Sequence, residues 1–242
     1  MTGVVPAPSL SSAPGPVSSP PGWPVSGRGS RYHHLSVAVR EIAAYDLDGT
    51  LTRRDCVLPF LARVAGRPRL AGAFVRHAPV LVAATRERSR RDDVKAALAG
   101  SLLRGRDAVA VDELGERFAD EIEARWVRAD VALRLAWHVD AGHEVVLVTA
   151  SFGAYARPLG ARLGASRVVA TELEVDGDGR LTGRLSGPNC RADEKVRRLA
   201  ALFGDPPVLD WAYGDSPDDQ AMLARAAHPV EVGPDALSAA PA

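Results

Sequence analysis

Along the first part of the ordered-looking sequence, apolar positions run together and then stop abruptly. Ile42, Ala43, Ala44 and Tyr45 lead into two acids, a glycine and two hydroxyls, in the stretch EIAAYDLDGTLT. A short apolar run bounded by turn residues predicts a strand buried on both faces, as in the middle of a parallel sheet, with Gly49 marking the turn. Residues 145–148 and 208–213 predict two more such strands, and 168–170 a short one. Between Thr52 and Trp137 the apolar spacing lengthens to three and four residues, which predicts helices, with breaks at Gly66-Arg67-Pro68, Pro79, Gly100 and Gly105. Segments 92–103 and 107–126 are amphipathic. Segment 70–85 is the most apolar and predicts a packed helix; Arg76, His77 and Pro79 leave it far short of the roughly 20 apolar residues of a membrane span. Further helices are predicted over 129–141, 153–163, 194–203 and 219–227. TELEVDGDGRLTGRLSG, two alternating segments around Asp-Gly-Asp-Gly, predicts a β-hairpin. Turn chemistry accounts for Asp176 and Asp178 there, because the pattern of a calcium loop is absent. Strands alternating with helices define the fold class: α/β, a Rossmann-like doubly wound parallel sheet with an inserted helical segment and a β-hairpin.

Residues 1–38 follow a different pattern. Up to Pro24 the tail holds seven prolines, five serines and no charged side chain. Such a segment cannot bury enough apolar surface to offset its ordering entropy, which predicts a disordered Pro/Ser/Gly-rich tail. Prolines interrupt every candidate for a secretory signal, so the expected location is cytoplasmic. Cys56 and Cys190, far apart and outside any C-x-x-C pair, suit free thiols in a reducing compartment. The 242 residues are 46% hydrophobic, enough for one sizeable core or a core and a small cap, and a formal net charge of zero gives no hint of a nucleic-acid partner.

The strand ends carry the candidate chemistry. In open α/β sheets ligands bind at the carboxyl ends of the strands, where Asp46 and Asp48 fall. Two residues apart on a strand, they point to the same side roughly 6.5 Å apart. Paired carboxylates either share a cation or keep one proton, so they offer a divalent metal site and an acid able to protonate a leaving group. Thr149 ends the second long apolar run, where a hydroxyl and turn amides can hold a phosphoryl oxygen. Of the chain's 30 basic residues only Lys95 and Lys195 are lysines. A compact ammonium can sit beside a carboxylate and a phosphoryl group as a point charge, which a guanidinium cannot do as well. Asp215 follows the strand at 208–213, with Asp218 and Asp219 just beyond.

The string DLDGTLT resembles the first motif of the haloacid dehalogenase-like (HAD) superfamily of phosphatases and phosphotransferases. Thr149, Lys195 and GDSPDD stand where its second, third and fourth motifs fall. The resemblance implies a catalytic core over 39–54 and 129–242 and a helical cap over 55–128. It also implies a Mg2+-dependent phosphomonoesterase that works through an aspartyl phosphate on Asp46. Asp48 would act as acid and base, with Thr149 and Lys195 at the phosphoryl oxygens. The Asp46 carboxylate, the Asp48 backbone carbonyl and Asp215 would hold Mg2+, with Asp219 and Asp218 in support. LTRRD, VTASFG, LTGRLSGPNC and YGDSPDD resemble subfamily IB, which includes phosphoserine phosphatases and lipid-phosphate phosphatases. The expected substrate is therefore a small organic or lipid-linked phosphate, with Asp55, Ser151 and Lys95 as substrate contacts. Phosphoserine is an alternative, disfavoured because Asp55 and Ala99 stand where phosphoserine phosphatases have a glutamate and an arginine. A phosphotransferase would share the intermediate. A non-catalytic phosphate-binding regulator would be expected to have lost one of Asp46, Asp48, Lys195 and Asp215, all of which are present.

Overall fold

The apolar run after Glu41 forms β1 (Ile42–Tyr45) in the computed structural model, which describes residues 40–86 and 91–237. The predicted tail over 1–38 lies outside the described residues. β1 is the middle strand of a five-stranded sheet in the order β3 (Arg167–Thr171), β2 (Glu144–Phe152), β1, β6 (Leu209–Gly214), β7 (Ala226–Glu231). Every pairing is parallel. Because alternate residues of a strand face opposite sides, β1 serves two cores. Ala43 and Tyr45 pack with Val131 and Leu135 of α6 (Ala129–Asp140) and Leu159 of α7 (Gly153–Arg162). Ala44 packs with Leu199 of α8 (Asp193–Phe203) and Met222 of α9 (Gln220–Leu223). Helices thus cover both faces, as the doubly wound reading requires.

The connection from β1 to α6 carries five helices among its described residues: α1 (Val57–Ala65), α2 (Arg67–Arg76), α3 (Ala78–Arg86), α4 (Arg91–Leu103) and α5 (Ala108–Arg125). Phe60 of α1, Phe118 of α5 and Tyr155 of α7 meet in an aromatic cluster with centroid separations of 4.8–5.7 Å. All three are essentially unexposed, so truncating either phenylalanine to alanine costs about 3–5 kcal/mol. That cluster seats the helical layer on the core. The hairpin β4 (Leu173–Val175) and β5 (Leu181–Leu185) forms as predicted.

Four expectations need correction. Gly100 does not break a helix; it lies inside α4, where its missing side chain lets Gly183 of β5, at φ +83°, come within close contact. Segment 70–85 is two helices rather than one, because Pro79 has no N–H to continue α2 and instead sits in the first turn of α3. Strand β2 continues past Thr149 to Phe152, with its register to β3 shifting between Val148 and Phe152. The helix expected over 219–227 stops at Leu223, and residues 226–231 form the edge strand β7. Ala226-Ala227-His228-Pro229 is too weakly apolar to signal a strand, and proline is tolerated there because an edge strand leaves N–H positions unpaired.

Candidate active site

Three strand ends and one helix start converge at the carboxyl edge of the sheet. The Asp46 N–H donates to Tyr213 O at 3.0 Å, which ties the end of β1 to the end of β6. The chain then turns sharply, held by buried Leu47 and Leu51 and by Thr52 Oγ1 donating to Leu47 O at 3.1 Å. Gly49 makes the turn at φ +91°, and a Cβ there would lie 2.2 Å from an Asp215 oxygen. The close approach of Asp215 to the turn is therefore built into the DLDGT string.

Lys195 Nζ, on the first turn of α8 and 2% exposed, donates to Asp46 Oδ1 at 2.5 Å and to Asp219 Oδ1 at 2.6 Å. Burial alone would lower its pKa, but Asp46 and Asp219 reverse that and hold it above the usual lysine range. Burial pushes the Asp46 carboxyl up to about 7 against the pull of Lys195, with Asp219 and Asp48 adding to the rise. Asp219 Oδ2 accepts from Ser216 N at 3.0 Å and Ser216 Oγ at 2.8 Å, and Thr50 Oγ1 donates to Asp215 Oδ1 at 3.0 Å. Asp46, Asp215 and Asp219 each offer an oxygen within 4.8 Å of the others. A hard, all-oxygen donor set of this kind fits Mg2+. Asp219, expected only in support, is thus the third carboxylate of the cluster.

The Asp48 carboxylate turns elsewhere. It accepts from Cys56 N at 3.0 Å and from Ser151 Oγ at 2.5 Å, and Ser151 in turn accepts from Tyr155 Oη at 2.7 Å. Burial and the neighbouring Asp55 lift its pKa to about 6, while the hydrogen bonds hold it back. Ser151, expected to touch substrate, is fully buried and orients Asp48 instead. Thr149 lines the pocket, its Oγ1 accepting from Ser151 N at 2.9 Å.

The pocket above these groups is about 360 Å³ and is also lined by Asp55, Val57, Leu58, Val94, Lys95 and Leu98. Lys95 Nζ donates to Ala150 O and to Asn189 Oδ1, the latter at 2.8 Å, and lies 4.5 Å from the Phe152 ring centroid. Burial lowers its pKa to about 8, opposed by the charge of Asp48. Ala99 has no exposed surface, so the position aligned with the phosphoserine phosphatases' arginine points into the core. Lys95, one helical turn earlier, faces the pocket. Asp55 accepts from Leu58 N at 3.3 Å at the head of α1.

Sequence reasoning missed Asn189, Arg191 and Thr50. Asn189 accepts from Lys95 and from Thr171 Oγ1 at 2.7 Å, and donates to Asp92 Oδ1 at 2.7 Å. Arg191 holds Asp218 through two hydrogen bonds of 2.7 and 2.9 Å and reaches Asp92 at 3.6 Å. Asp218 therefore fastens the loop before α8, and through Arg191 that loop is linked to α4. The signal that could have found the first two is Pro-Asn-Cys-Arg, a polar loop shortly before Lys195; Thr50 stands inside DLDGT itself.

A doubly wound sheet whose first strand ends in paired acids, met by a lysine and further acids from later elements, defines an α/β enzyme of the hydrolase class. The chain belongs to the haloacid dehalogenase-like hydrolase family, whose model matches residues 43–224. It is 38% identical over 186 residues to Protein CicA of Caulobacter vibrioides, covering 76% of this chain and 82% of that protein. It is 30% identical over 243 residues to phosphoserine phosphatase SerB1 of Mycobacterium tuberculosis, covering 96% of this chain and 76% of that protein. A solved structure of a protein with unknown function from Bordetella pertussis Tohama I superimposes with a TM-score of 0.65 at 25% identity, over 76% of this chain and 86% of the other. Among the described residues no helix is long and apolar enough to cross a membrane.

Proposed function

We propose that the protein is a Mg2+-dependent phosphomonoesterase acting through an aspartyl phosphate on Asp46. The observation that carries this reading is Lys195 Nζ shared between Asp46 and Asp219, with Asp215 alongside. In the first step an Asp46 oxygen attacks phosphorus, a new P–O bond forms and the ester P–O bond breaks. Asp48, with a pKa near 6, delivers its proton to the departing alkoxide. In the second step Asp48, now a carboxylate, takes a proton from water as that water attacks phosphorus, releasing inorganic phosphate and restoring Asp46. Ser151 and Tyr155 keep Asp48 aimed throughout. Thr149 and Lys195 neutralise charge on the equatorial oxygens, where most catalysis of phosphoryl transfer resides. Asp46, Asp215 and Asp219 would hold Mg2+, whose bound charge stabilises the ionised form of Asp46 and the phosphoryl oxygens.

The helices of residues 55–128 act as a cap that excludes water from the pocket. The two buried free thiols, Cys56 and Cys190, support a cytoplasmic setting. A phosphoserine phosphatase is the second reading, favoured by Asp55 and Lys95 lining one pocket, suited to an ammonium and a carboxylate respectively. Asp46→Asn should abolish hydrolysis of p-nitrophenyl phosphate while thermal unfolding stays cooperative; full activity in that variant would refute the nucleophile assignment. Asp48→Asn should slow alkyl phosphates roughly 100- to 10,000-fold and p-nitrophenyl phosphate much less, since nitrophenolate leaves without a proton.

A further inference from the structure

A second cavity, about 900 Å³, opens beside the catalytic pocket between α1, α2 and the end of α5. Its apolar lining is Leu58, Ala62, Leu70, Ala71, Phe74 and Trp126. Asp55 and Leu58 line both cavities, so the groove adjoins the catalytic pocket across those two side chains. The catalytic pocket itself carries apolar side chains, Val57, Leu58, Val94 and Leu98, beside its polar groups Asp46 and Lys195. Only Ala73 of α2 is buried, leaving Leu70 and Phe74 half-buried against the groove. A substrate as short and polar as phosphoserine would end near Asp55 and leave that surface uncovered.

We infer that the groove is a binding site for the apolar chain of an amphiphilic phosphate monoester, whose head enters the catalytic pocket and whose tail passes Leu58 to lie between α1 and α2. This deepens the phosphatase reading and rests on it for the position of the head group. Each methylene that enters the groove raises kcat/KM about two- to fourfold, fourfold corresponding to full burial at about 0.8 kcal/mol per methylene. Arg63, paired with Glu121 and stacked 4.4 Å from the Phe118 centroid, and Arg67 stand at the rim, where the tail leaves the groove.

The test measures kcat/KM with Mg2+ for ethyl, butyl, hexyl and octyl phosphate and for phosphoserine, and calorimetric binding of the matching alkyl phosphonates. The expected result is a rise with chain length in both series and a preference for octyl phosphate over phosphoserine. Ala71→Trp, which fills the groove from an exposed position, should flatten both slopes and leave ethyl phosphate unchanged; Leu70→Glu should do the same by charge. Turnover of ethyl phosphate or phosphoserine with no chain-length slope overturns the groove while the phosphatase reading stands. A slope that survives both variants overturns it too. Phosphonates binding with a slope, and no ester hydrolysed, keep the groove and refute the phosphatase. Comparing monomeric octyl phosphate with phosphatidic acid in phosphatidylcholine vesicles separates a free amphiphile from a bilayer lipid as the natural source of the same chemistry.

Discussion

The two walls of the catalytic pocket each bury one of the chain's two lysines, and they treat it oppositely. On the sheet side, Lys195 meets two carboxylates, Asp46 and Asp219. On the helical side, Lys95 donates to neutral oxygens, Ala150 O and Asn189 Oδ1, with the charges of Asp48, Asp92 and Asp55 also acting on it. Exposure is nearly the same, 2% and 8%, yet the first is pushed above the usual lysine range and the second down to about 8. Burial alone therefore does not decide an ammonium's state; the charge of its partners does. The sheet wall gives its ammonium two carboxylate partners before a phosphate arrives, and Lys195 can turn from one anion to another. The helical wall carries a cation whose hydrogen bonds go to neutral oxygens and for which the charges of Asp48, Asp92 and Asp55 do not make up the cost of burial, so an anion brought by the substrate would relieve it.

The largest expected effect is at Lys195. Lys195→Met leaves two buried carboxylates facing each other and should cost about 3–5 kcal/mol of stability, read from urea denaturation, together with nearly all activity. Lys195→Arg should fail to restore activity, because a planar guanidinium does not fit between Asp46 and Asp219. Next comes the metal cluster. Addition of Mg2+ should raise Tm of the wild type, and Asp215→Asn should remove that rise; an equal rise in the variant would take Asp215 out of the site. Lys95→Met is the counterpart of the first variant and should alter stability by about 1 kcal/mol or less in either direction, since the hydrogen-bond acceptors left behind, Ala150 O and Asn189 Oδ1, are neutral. It should raise KM for a substrate with a second anionic group and spare p-nitrophenyl phosphate. A stability loss as large as that of Lys195→Met would collapse the distinction between the walls.

The smallest effect is the pH dependence that Lys95 imposes. Its pKa is about 8 folded against 10.5 for an unperturbed lysine, so over that window the unfolded chain binds more protons than the folded one. Stability should therefore rise with pH between about 8 and 10.5 through this group, and Lys95→Met should lose that component. Chemical denaturation at several pH values reads the difference between the two slopes.

Much of the sheet wall is legible in the amino-acid sequence. Asp46, Thr149, Lys195 and Asp215 each follow or precede a strong local signal, an apolar run or an amphipathic helix, and a parallel sheet brings strand ends to one edge whatever the loops do. The helical wall is not legible in the same way. Periodicity announces helices near the right places, but which face of α4 turns to the pocket depends on packing against the hairpin and the other helices of the layer. The sequence offers Lys95 as a substrate contact and sets Ala99 where phosphoserine phosphatases have an arginine; that Ala99 is buried and Lys95 lines the pocket is decided by the fold. Edge strand β7 escapes notice because weak apolar content and a proline carry little periodic signal.

Local order along the chain determined the strands, the turn at Gly49 and the identity of the chemical groups, because hydrophobic runs and backbone preferences act over a few residues. Tertiary structure alone decided that Asp219 joins Asp46 and Asp215, that Ser151 stands behind Asp48, and that an apolar groove meets the pocket at Leu58. Each of those depends on contacts between residues far apart in the chain, whose distances are set by how whole elements pack.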